Sequence, residues 1–156
     1  MEAAERLVEA LKKRNFKISG AESCTGGMVA AALTSVSGVS AFFEESFVVY
    51  SERTKIKNIG VRSEIIEKFG VVSLECAAEM AEKTAEKTGA DITFGITGIA
   101  GPTGAKPGKP VGTVCFGVSL CGRTELTVRY FSGSRESVRE QAVEFILNWM
   151  VELLEA

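Results

Sequence analysis

Apolar residues recur at helical spacing in some parts of the chain and form short continuous runs in others. The helical spacing predicts helices over residues 2–15, 25–36, 51–59, 63–70, 73–88 and 134–154. The short runs predict strands at residues 17–21, 47–50, 92–96, 111–120 and 125–131. Apolar residues surround the second helix on nearly all sides, so we expect that helix to be largely buried. Serine is a favoured helix N-cap, and the expected caps here are Ser51, Ser63, Ser73 and Ser134.

The order of these elements predicts an α/β fold, a three-layer α/β/α sandwich. Residues 121–123 form a hairpin turn between the last two strands, which makes the sheet mixed and not purely parallel. No linker or repeat divides the 156 residues, so we expect one domain over residues 1–156. Residues 98–110 contain all three prolines, and an irregular stretch of this length is usually functional or mobile.

Charge and composition exclude several classes of partner. The net charge is -2 and no dense Lys/Arg run is present, so nucleic acid is not an expected partner. The apolar runs are too short to span a bilayer and the N-terminal residues resemble no signal peptide, so a cytoplasmic, non-membrane protein is expected. The apolar stripe on the last helix predicts core or subunit contacts, and we expect a homo-oligomer.

The chain contains no histidine, and this narrows the possible chemistry. Ser-His and Cys-His catalysis within one subunit are excluded, and the usual imidazole ligands of catalytic zinc are missing. None of the four cysteines forms a C-x-x-C pair, so reduced thiols and no metal site are expected. Acid–base chemistry must therefore come from Lys, Tyr, Asp, Glu or Cys.

Two glycine-rich segments, residues 21–27 and 96–102, each follow a predicted strand. Ligands of open α/β sheets bind at such strand ends, where glycine lets a ligand approach the backbone. We expect one site built from both segments, with Thr25, Gly26, Thr97, Gly98 and Gly101 among its binding residues. Ser23 is a candidate for catalysis, although the sequence fits a simple helix cap equally well.

The segment after the second strand supplies a possible base for Ser23. Lys55 lies four residues after Ser51 and therefore on the same helical face. Without histidine, a serine nucleophile needs a base such as lysine, kept uncharged by burial or by a nearby cation. The alternative for Lys55 is a solvated side chain on a surface helix. Arg135 and Arg139, near the start of the last helix, suit either an anion or solvent.

Taken together, several segments resemble the CinA C-terminal domain family, the nicotinamide-nucleotide amidohydrolases. These segments are residues 21–27, Tyr50-Ser51 with Lys55, and residues 70–73, 97–102 and 109–114, and the resemblance runs over almost the whole chain. A departure occurs at Val72, where the family pattern has alanine. The chain resembles the free-standing form of the family, without the larger N-terminal domain that many members carry.

The resemblance implies hydrolysis of the carboxamide of nicotinamide mononucleotide to nicotinate mononucleotide and ammonia, with no organic cofactor. It implies a catalytic set of Ser23, Tyr50 and Lys55. In the resulting hypothesis Ser23 attacks the amide, Lys55 takes its proton, and Tyr50 orients Lys55 or protonates the ammonia. Thr25 and residues 97–102 would bind the oxyanion or the phosphate, Arg135 would hold the phosphate, and Ser51 would also contact the substrate.

Three alternatives stay open at this point. Cys24 or an activated water could be the nucleophile in place of Ser23. A deamidase for another amide, or a non-catalytic nucleotide-binding or regulatory domain, would use the same loops. The loop that holds the phosphate is also not determined by the sequence.

Overall fold

The computed structural model describes residues 2–156 and contains a five-stranded mixed sheet. The strands are β1 (Ile18–Glu22), β2 (Phe47–Val48), β3 (Ile92–Gly98), β4 (Thr113–Leu120) and β5 (Arg123–Tyr130). Their order across the sheet is β2-β1-β3-β4-β5. β1 runs parallel to β2 and β3, and β4 runs antiparallel to β3 and β5. The predicted mixed sheet is therefore confirmed.

Helices cover both faces of this sheet. They are α1 (Ala3–Arg14), α2 (Met28–Thr34), α3 (Glu52–Ile59), α4 (Ser63–Phe69), α5 (Leu74–Thr88) and α6 (Arg135–Glu155). Helices α1, α2 and α6 contact one another and share the larger apolar core with one face of the sheet. Helix α5 packs on the other face, with α3 and α4 against it. The arrangement confirms the three-layer α/β/α sandwich, and none of the helices within residues 2–156 has the length and hydropathy to cross a membrane.

The predicted serine caps are confirmed at three of the four helices. Ser51, Ser73 and Ser134 each accept a hydrogen bond from a backbone amide of the first turn of α3, α5 and α6, respectively. The expectation for Ser63 was wrong, because Arg62 is the N-cap of α4 and no side chain caps that helix. Arg62 is held instead by a bidentate interaction with the carboxylate of Glu79 on α5.

Helix α2 differs from its prediction in length and in burial. It begins at Met28 and not at residue 25, because Gly26 and Gly27 have φ values of 56° and 100°, which a right-handed helix does not accommodate. Only Val29 and Leu33 are buried within it, so the expectation of a helix buried on nearly all sides was also wrong. The residues before it form a tight turn that carries Ser23.

Glycines in the middle of the sheet bring α5 unusually close to it. Gly95 and Gly117 lie opposite each other on β3 and β4. A Cβ atom built at Gly95 would lie 2.5 Å from the carbonyl oxygen of Ala77, and one at Gly117 would lie 2.6 Å from the same atom. Any side chain at these two positions would therefore push α5 away from the strands.

Candidate active site

The parallel strands β1, β2 and β3 end together and open a cleft of about 240 Å³. Glu22 pairs with Ile96 in the β1–β3 ladder, and the next amide, that of Ser23, donates to the Ile96 carbonyl at 3.1 Å. Predicted site residues that line the cleft are Ser23, Tyr50, Lys55, Thr97, Gly98, Gly101 and Arg135. Residues of both glycine-rich segments therefore line one cleft.

The floor of the cleft holds a hydrogen-bonded pair, Ser23 and Lys55. Lys55 Nζ lies 2.9 Å from Ser23 Oγ and 2.9 Å from the carbonyl oxygen of Val49. The Lys55 side chain is 1% exposed, and within residues 2–156 no carboxylate forms a salt bridge with it. Burial lowers the pKa of Lys55 from its ordinary value of 10.5. The amine is therefore easier to deprotonate than a surface lysine, and when neutral it can accept the proton of Ser23.

The local sequence around α3 explains how Lys55 reaches the floor. Ser51 and Thr54 form a capping box that starts α3 directly after β2. The Lys55 amide then donates to the Ser51 carbonyl at 3.1 Å in the first turn of the helix. Ser51 itself is exposed and lies outside the cleft lining, so its hydroxyl serves the helix and not the cleft.

The turn that carries Ser23 is held by the buried carboxylate of Glu22. Its two oxygens accept from the Thr25 hydroxyl at 2.6 Å and from the amides of Gly27, Val29 and Ala30 at 3.0–3.2 Å. The side chain that accepts from the first amides of α2 is therefore that of Glu22, and not that of Ser23 as the helix-cap interpretation predicted. That interpretation of Ser23 was wrong, and its hydroxyl is left to bond Lys55.

Two predicted binding residues lie outside the cleft because of this turn. Thr25 is fully buried and donates its hydroxyl to Glu22, so the structure does not bring it to a ligand. Gly26 is exposed and also does not line the cleft. Arg139 donates from Nε to the carbonyl of Cys24 at 2.9 Å, which holds the turn from the α6 side.

Tyr50 and Arg135 form the rim of the cleft and not its floor. Arg135 donates from Nη2 to Tyr50 Oη at 2.9 Å and from Nη1 to the Gly101 carbonyl at 2.7 Å. Tyr50 is 61% exposed. Tyr50 does not orient Lys55 through a hydrogen bond, because Lys55 Nζ bonds Ser23 and Val49 and Tyr50 Oη bonds Arg135. The other expected role of Tyr50, protonation of the ammonia, stays a prediction.

The opposite wall is formed by the end of β3 and the loop after it. Thr97 donates its hydroxyl to the Val71 carbonyl at 2.9 Å. A Cβ at Gly98 would lie 2.9 Å from the Thr113 carbonyl, and one at Gly101, whose φ is 83°, would lie 2.4 Å from Val111. Glycine is therefore required at these two positions by packing within the protein, and not by the approach of a ligand, which was the reason expected from the sequence.

Cys24 lies beside Ser23 in the cleft lining but is a poor nucleophile there. Burial raises the pKa of its thiol to about 11, so very little thiolate exists at neutral pH. No cluster of three or more His, Cys, Asp or Glu side chains suited to a metal ion occurs among the described residues. Ser23, beside Lys55, is therefore a better candidate nucleophile in this cleft than Cys24.

A larger groove of about 580 Å³ lies between α1, α2 and α6. It contains none of the predicted site residues and no basic side chain, and its lining includes Glu2, Glu5, Glu9 and Glu144. Four carboxylates would repel a phosphate, and the two serines of the groove, Ser35 and Ser37, are both exposed. We therefore assign the chemistry to the smaller cleft at the strand ends.

Sequence reasoning did not single out Glu22 or Val49. Glu22 gives a signal, since a carboxylate at the end of an otherwise apolar strand needs buried donors. Val49 gives none, because it acts through its backbone carbonyl, which every residue has. A carbonyl contact of this kind is visible only once the strand and helix are placed.

Known proteins share both the sequence and the fold. Residues 1–154 match the family model of the CinA C-terminal domain. A CinA-like protein of Kosmotoga olearia is 45% identical over 146 residues, which are 94% of this chain and 35% of that protein. A CinA-like protein of Dictyoglomus thermophilum is 47% identical over 135 residues, 86% of this chain and 33% of that protein. The chain thus spans about a third of the length of these curated relatives.

Solved structures extend the likeness to nearly every residue. A competence-damaged protein (CinA) superfamily protein from Klebsiella pneumoniae is 36% identical, with a TM-score of 0.95 over 99% of each chain. A competence or damage-inducible protein from Enterobacter asburiae is also 36% identical, with a TM-score of 0.94 over 97% of this chain and 96% of that one. The chain therefore belongs to the CinA C-terminal domain family.

Proposed function

We propose that this domain is an amidohydrolase that converts nicotinamide mononucleotide into nicotinate mononucleotide and ammonia. The observation that carries the proposal is the buried hydrogen bond of 2.9 Å between Lys55 Nζ and Ser23 Oγ at the floor of a strand-end cleft. A serine beside a desolvated lysine is an arrangement that activates a nucleophile without histidine. The choice of this substrate rests on the resemblance of the sequence motifs to the nicotinamide-nucleotide amidohydrolases.

In the first half of the proposed reaction, Ser23 Oγ attacks the carboxamide carbon while neutral Lys55 accepts the hydroxyl proton. The Val49 carbonyl keeps Nζ in place during this transfer. The carbonyl oxygen becomes negatively charged, and our candidates for stabilising it are the amides of Ala100 and Gly101, which line the opposite wall, since the Ile99 amide is already bonded to Thr113. The carbon–nitrogen bond then breaks, and Lys55 returns the proton to the departing nitrogen, which leaves as ammonia.

The second half releases the acid. A water molecule attacks the ester carbon on Ser23, and Lys55 accepts one proton of that water. The ester bond to Oγ breaks, Oγ regains the proton from Lys55, and nicotinate mononucleotide leaves. One water is consumed for each ammonia released, and Ser23 and Lys55 end in their starting states.

The rim of the cleft suits the phosphate of the substrate. A guanidinium has five N–H donors. Arg135 donates one to Tyr50 and one to the Gly101 carbonyl, which leaves three for a phosphate. The cleft is slightly smaller than the ~300–1,000 Å³ of most ligand pockets, so it fits the reacting end of a nucleotide and leaves the phosphate at the open edge. Arg135 lies at that edge and is our candidate for the phosphate contact.

The direct test is to incubate the purified protein with nicotinamide mononucleotide and to measure ammonia and nicotinate mononucleotide. Ser23→Ala and Lys55→Ala should each lower turnover by orders of magnitude, and the double variant should lose little more because the two residues act as a unit. Ser37→Ala and Lys57→Ala change exposed residues outside the cleft and are the matched controls. Absence of ammonia with the wild type, or normal turnover by folded Ser23→Ala, would contradict the proposal.

A second substrate tests the role of the phosphate. Nicotinamide riboside lacks that group, and a charged hydrogen bond is typically worth ~1.5–3 kcal/mol, about tenfold to a hundredfold in affinity. The riboside should therefore be a poor substrate, and Arg135→Ala should weaken the mononucleotide much more than the riboside. Equal catalytic efficiency on both compounds would show that Arg135 serves another purpose.

A further inference from the structure

The two edges of the sheet are very different in length. β2, at one edge, has two residues, whereas β5, at the other, has eight. Within residues 2–156, β5 pairs with β4 alone. Exposed edges are usually protected by short strands, by proline or by charged side chains, lysine above all. β5 contains neither proline nor lysine, and its charged residues, Arg123, Glu125 and Arg129, are of both signs. Its outer side is therefore open to another strand.

The β4–β5 ladder shows which backbone groups face outward. The Phe131 amide donates to the Gly112 carbonyl at 2.9 Å, which makes this a hydrogen-bonded pair. Such pairs alternate along an antiparallel ladder, so the odd-numbered residues of β5 bond to β4. The even-numbered residues turn their amides and carbonyls to the free edge, and they are Thr124, Leu126, Val128 and Tyr130.

Apolar side chains accompany these open backbone groups. Leu126 is 41% exposed and Tyr130 is 64% exposed, and both belong to the outward-bonding set. Among the described residues, the one side chain that bonds an outward-facing backbone group of β5 is Arg129, whose Nη1 lies at a long 3.4 Å from the Val128 carbonyl oxygen. A second strand would satisfy the open groups and cover the exposed apolar surface at the same time.

We propose that β5 pairs antiparallel with β5 of a second copy of this chain, around a two-fold axis at Thr127. In this register Leu126 lies opposite the partner's Val128, and Glu125 lies opposite the partner's Arg129. The second pair is a non-hydrogen-bonded pair, in which side chains approach more closely, so the opposite charges attract at two symmetric places.

The neighbouring registers lack this match. An axis at Leu126 would place Arg123 opposite the partner's Arg129, and like charges opposite each other are destabilising. An axis at Val128 would place Glu125 opposite the partner's Phe131, with no ion pair. An axis at Thr124 would also place Arg123 opposite the partner's Glu125, but it would overlap only residues 123–125 of β5. Charge and the length of the overlap together therefore select the axis at Thr127.

Sedimentation velocity at several protein concentrations tests the proposal, with circular dichroism to confirm folding. The wild type should be a dimer at micromolar concentration. Glu125→Arg should raise the dissociation constant at least about tenfold, because it sets arginine against arginine at two places, and the double variant Glu125→Arg with Arg129→Glu should restore it. Arg123→Glu is the matched control, since it removes the Arg123–Glu125 pair within one chain but no pair between copies.

A backbone variant tests the edge independently of charge. Leu126→Pro removes an amide that faces outward and leaves the β4–β5 bonds in place, so it should produce a folded monomer. A wild type that stays monomeric at high micromolar concentration would overturn the proposal, and so would a dimer unaffected by Leu126→Pro. Equal loss of dimer in Arg123→Glu and Glu125→Arg, without recovery in the double variant, would overturn the register.

Discussion

Lys55→Met offers the sharpest test of the site, because it changes the pH dependence of stability in a direction that the structure fixes. Lys55 is fully buried, and within residues 2–156 its Nζ hydrogen-bonds only Ser23 and Val49. Burial lowers the pKa of its amine below the ordinary value of 10.5, to which the unfolded chain returns. Methionine fills a similar volume and does not titrate.

The sign follows from proton counting. Between the lowered folded pKa of Lys55 and 10.5, the unfolded chain holds a proton that the folded chain has released. The free energy of unfolding therefore rises with pH in this window, by at most about 1.4 kcal/mol per pH unit for one group. Below the window both states are protonated, so the wild type and Lys55→Met should then change in parallel.

Urea unfolding of both proteins between about pH 6 and pH 10 measures the effect. The quantity of interest is the difference in unfolding free energy between wild type and variant, in which contributions from groups that do not interact with Lys55 cancel. The Cys24 and Cys76 thiols do interact with Lys55, so the same comparison is repeated with both cysteines replaced by alanine in both proteins. This difference should shift in favour of the wild type as pH rises. Lys57→Met is the matched control, since Lys57 is exposed on the same helix, and it should give a flat difference. A flat difference for Lys55→Met would refute the argument that burial favours its neutral amine.

Urea unfolding also tests three positions outside the Ser23–Lys55 pair. Glu22→Gln should lower stability by about 2–4 kcal/mol and abolish turnover, because the buried carboxylate accepts from four donors and the glutamine amide would turn a donor of its own toward them. Gly95→Ala should lower stability by about 1–3 kcal/mol, since its Cβ would lie 2.5 Å from the Ala77 carbonyl. Cys121→Asn should raise stability by about 0.5–1 kcal/mol, because Cys121 and Gly122 form a two-residue turn with φ values of 49° and 85°, which favours Asn-Gly.

Each of these three predictions has a clear contrary result. Glu140→Gln changes an exposed carboxylate on α6 and should be neutral, so equal effects of Glu22→Gln and Glu140→Gln would contradict the role of Glu22. Wild-type stability in Gly95→Ala would show that α5 can move away from the sheet. A loss of stability in Cys121→Asn would show that the turn depends on the cysteine itself.

The hydrophobic pattern predicted the layers and the mixed sheet because those depend on which residues must be buried. It failed where a few backbone angles determine the residue at which a helix or strand begins or ends. Residues 25–36 carry a helical pattern, but the left-handed angles of Gly26 and Gly27 delay the start of α2 until Met28. The strand predicted at 47–50 is reduced to Phe47–Val48, since the next two residues lead into the cap of α3.

The candidate site was predictable where a side chain has few possible roles. The chain has no histidine, so Ser23 at the end of one strand and Lys55 after the neighbouring strand could be predicted to act as a pair. Roles that depend on direction were not predictable. Thr25 turns inward to Glu22, and Tyr50 turns outward to Arg135, yet nothing in their sequence positions distinguishes these orientations.

Because the chain has no histidine, the proposed reaction needs Lys55 as its base, and Glu22 must therefore not form a salt bridge with Lys55. A lysine can act as a base near neutral pH when burial or a nearby cation lowers its pKa, and a carboxylate beside it would favour the charged form instead. Glu22 lies one residue before Ser23 and is just as buried, so it could have been such a carboxylate. Its oxygens are occupied by the Thr25 hydroxyl and the amides at the start of α2. Lys55 is thus left with two uncharged partners, and the same carboxylate that shapes the turn of Ser23 preserves the neutral amine that the proposed reaction needs.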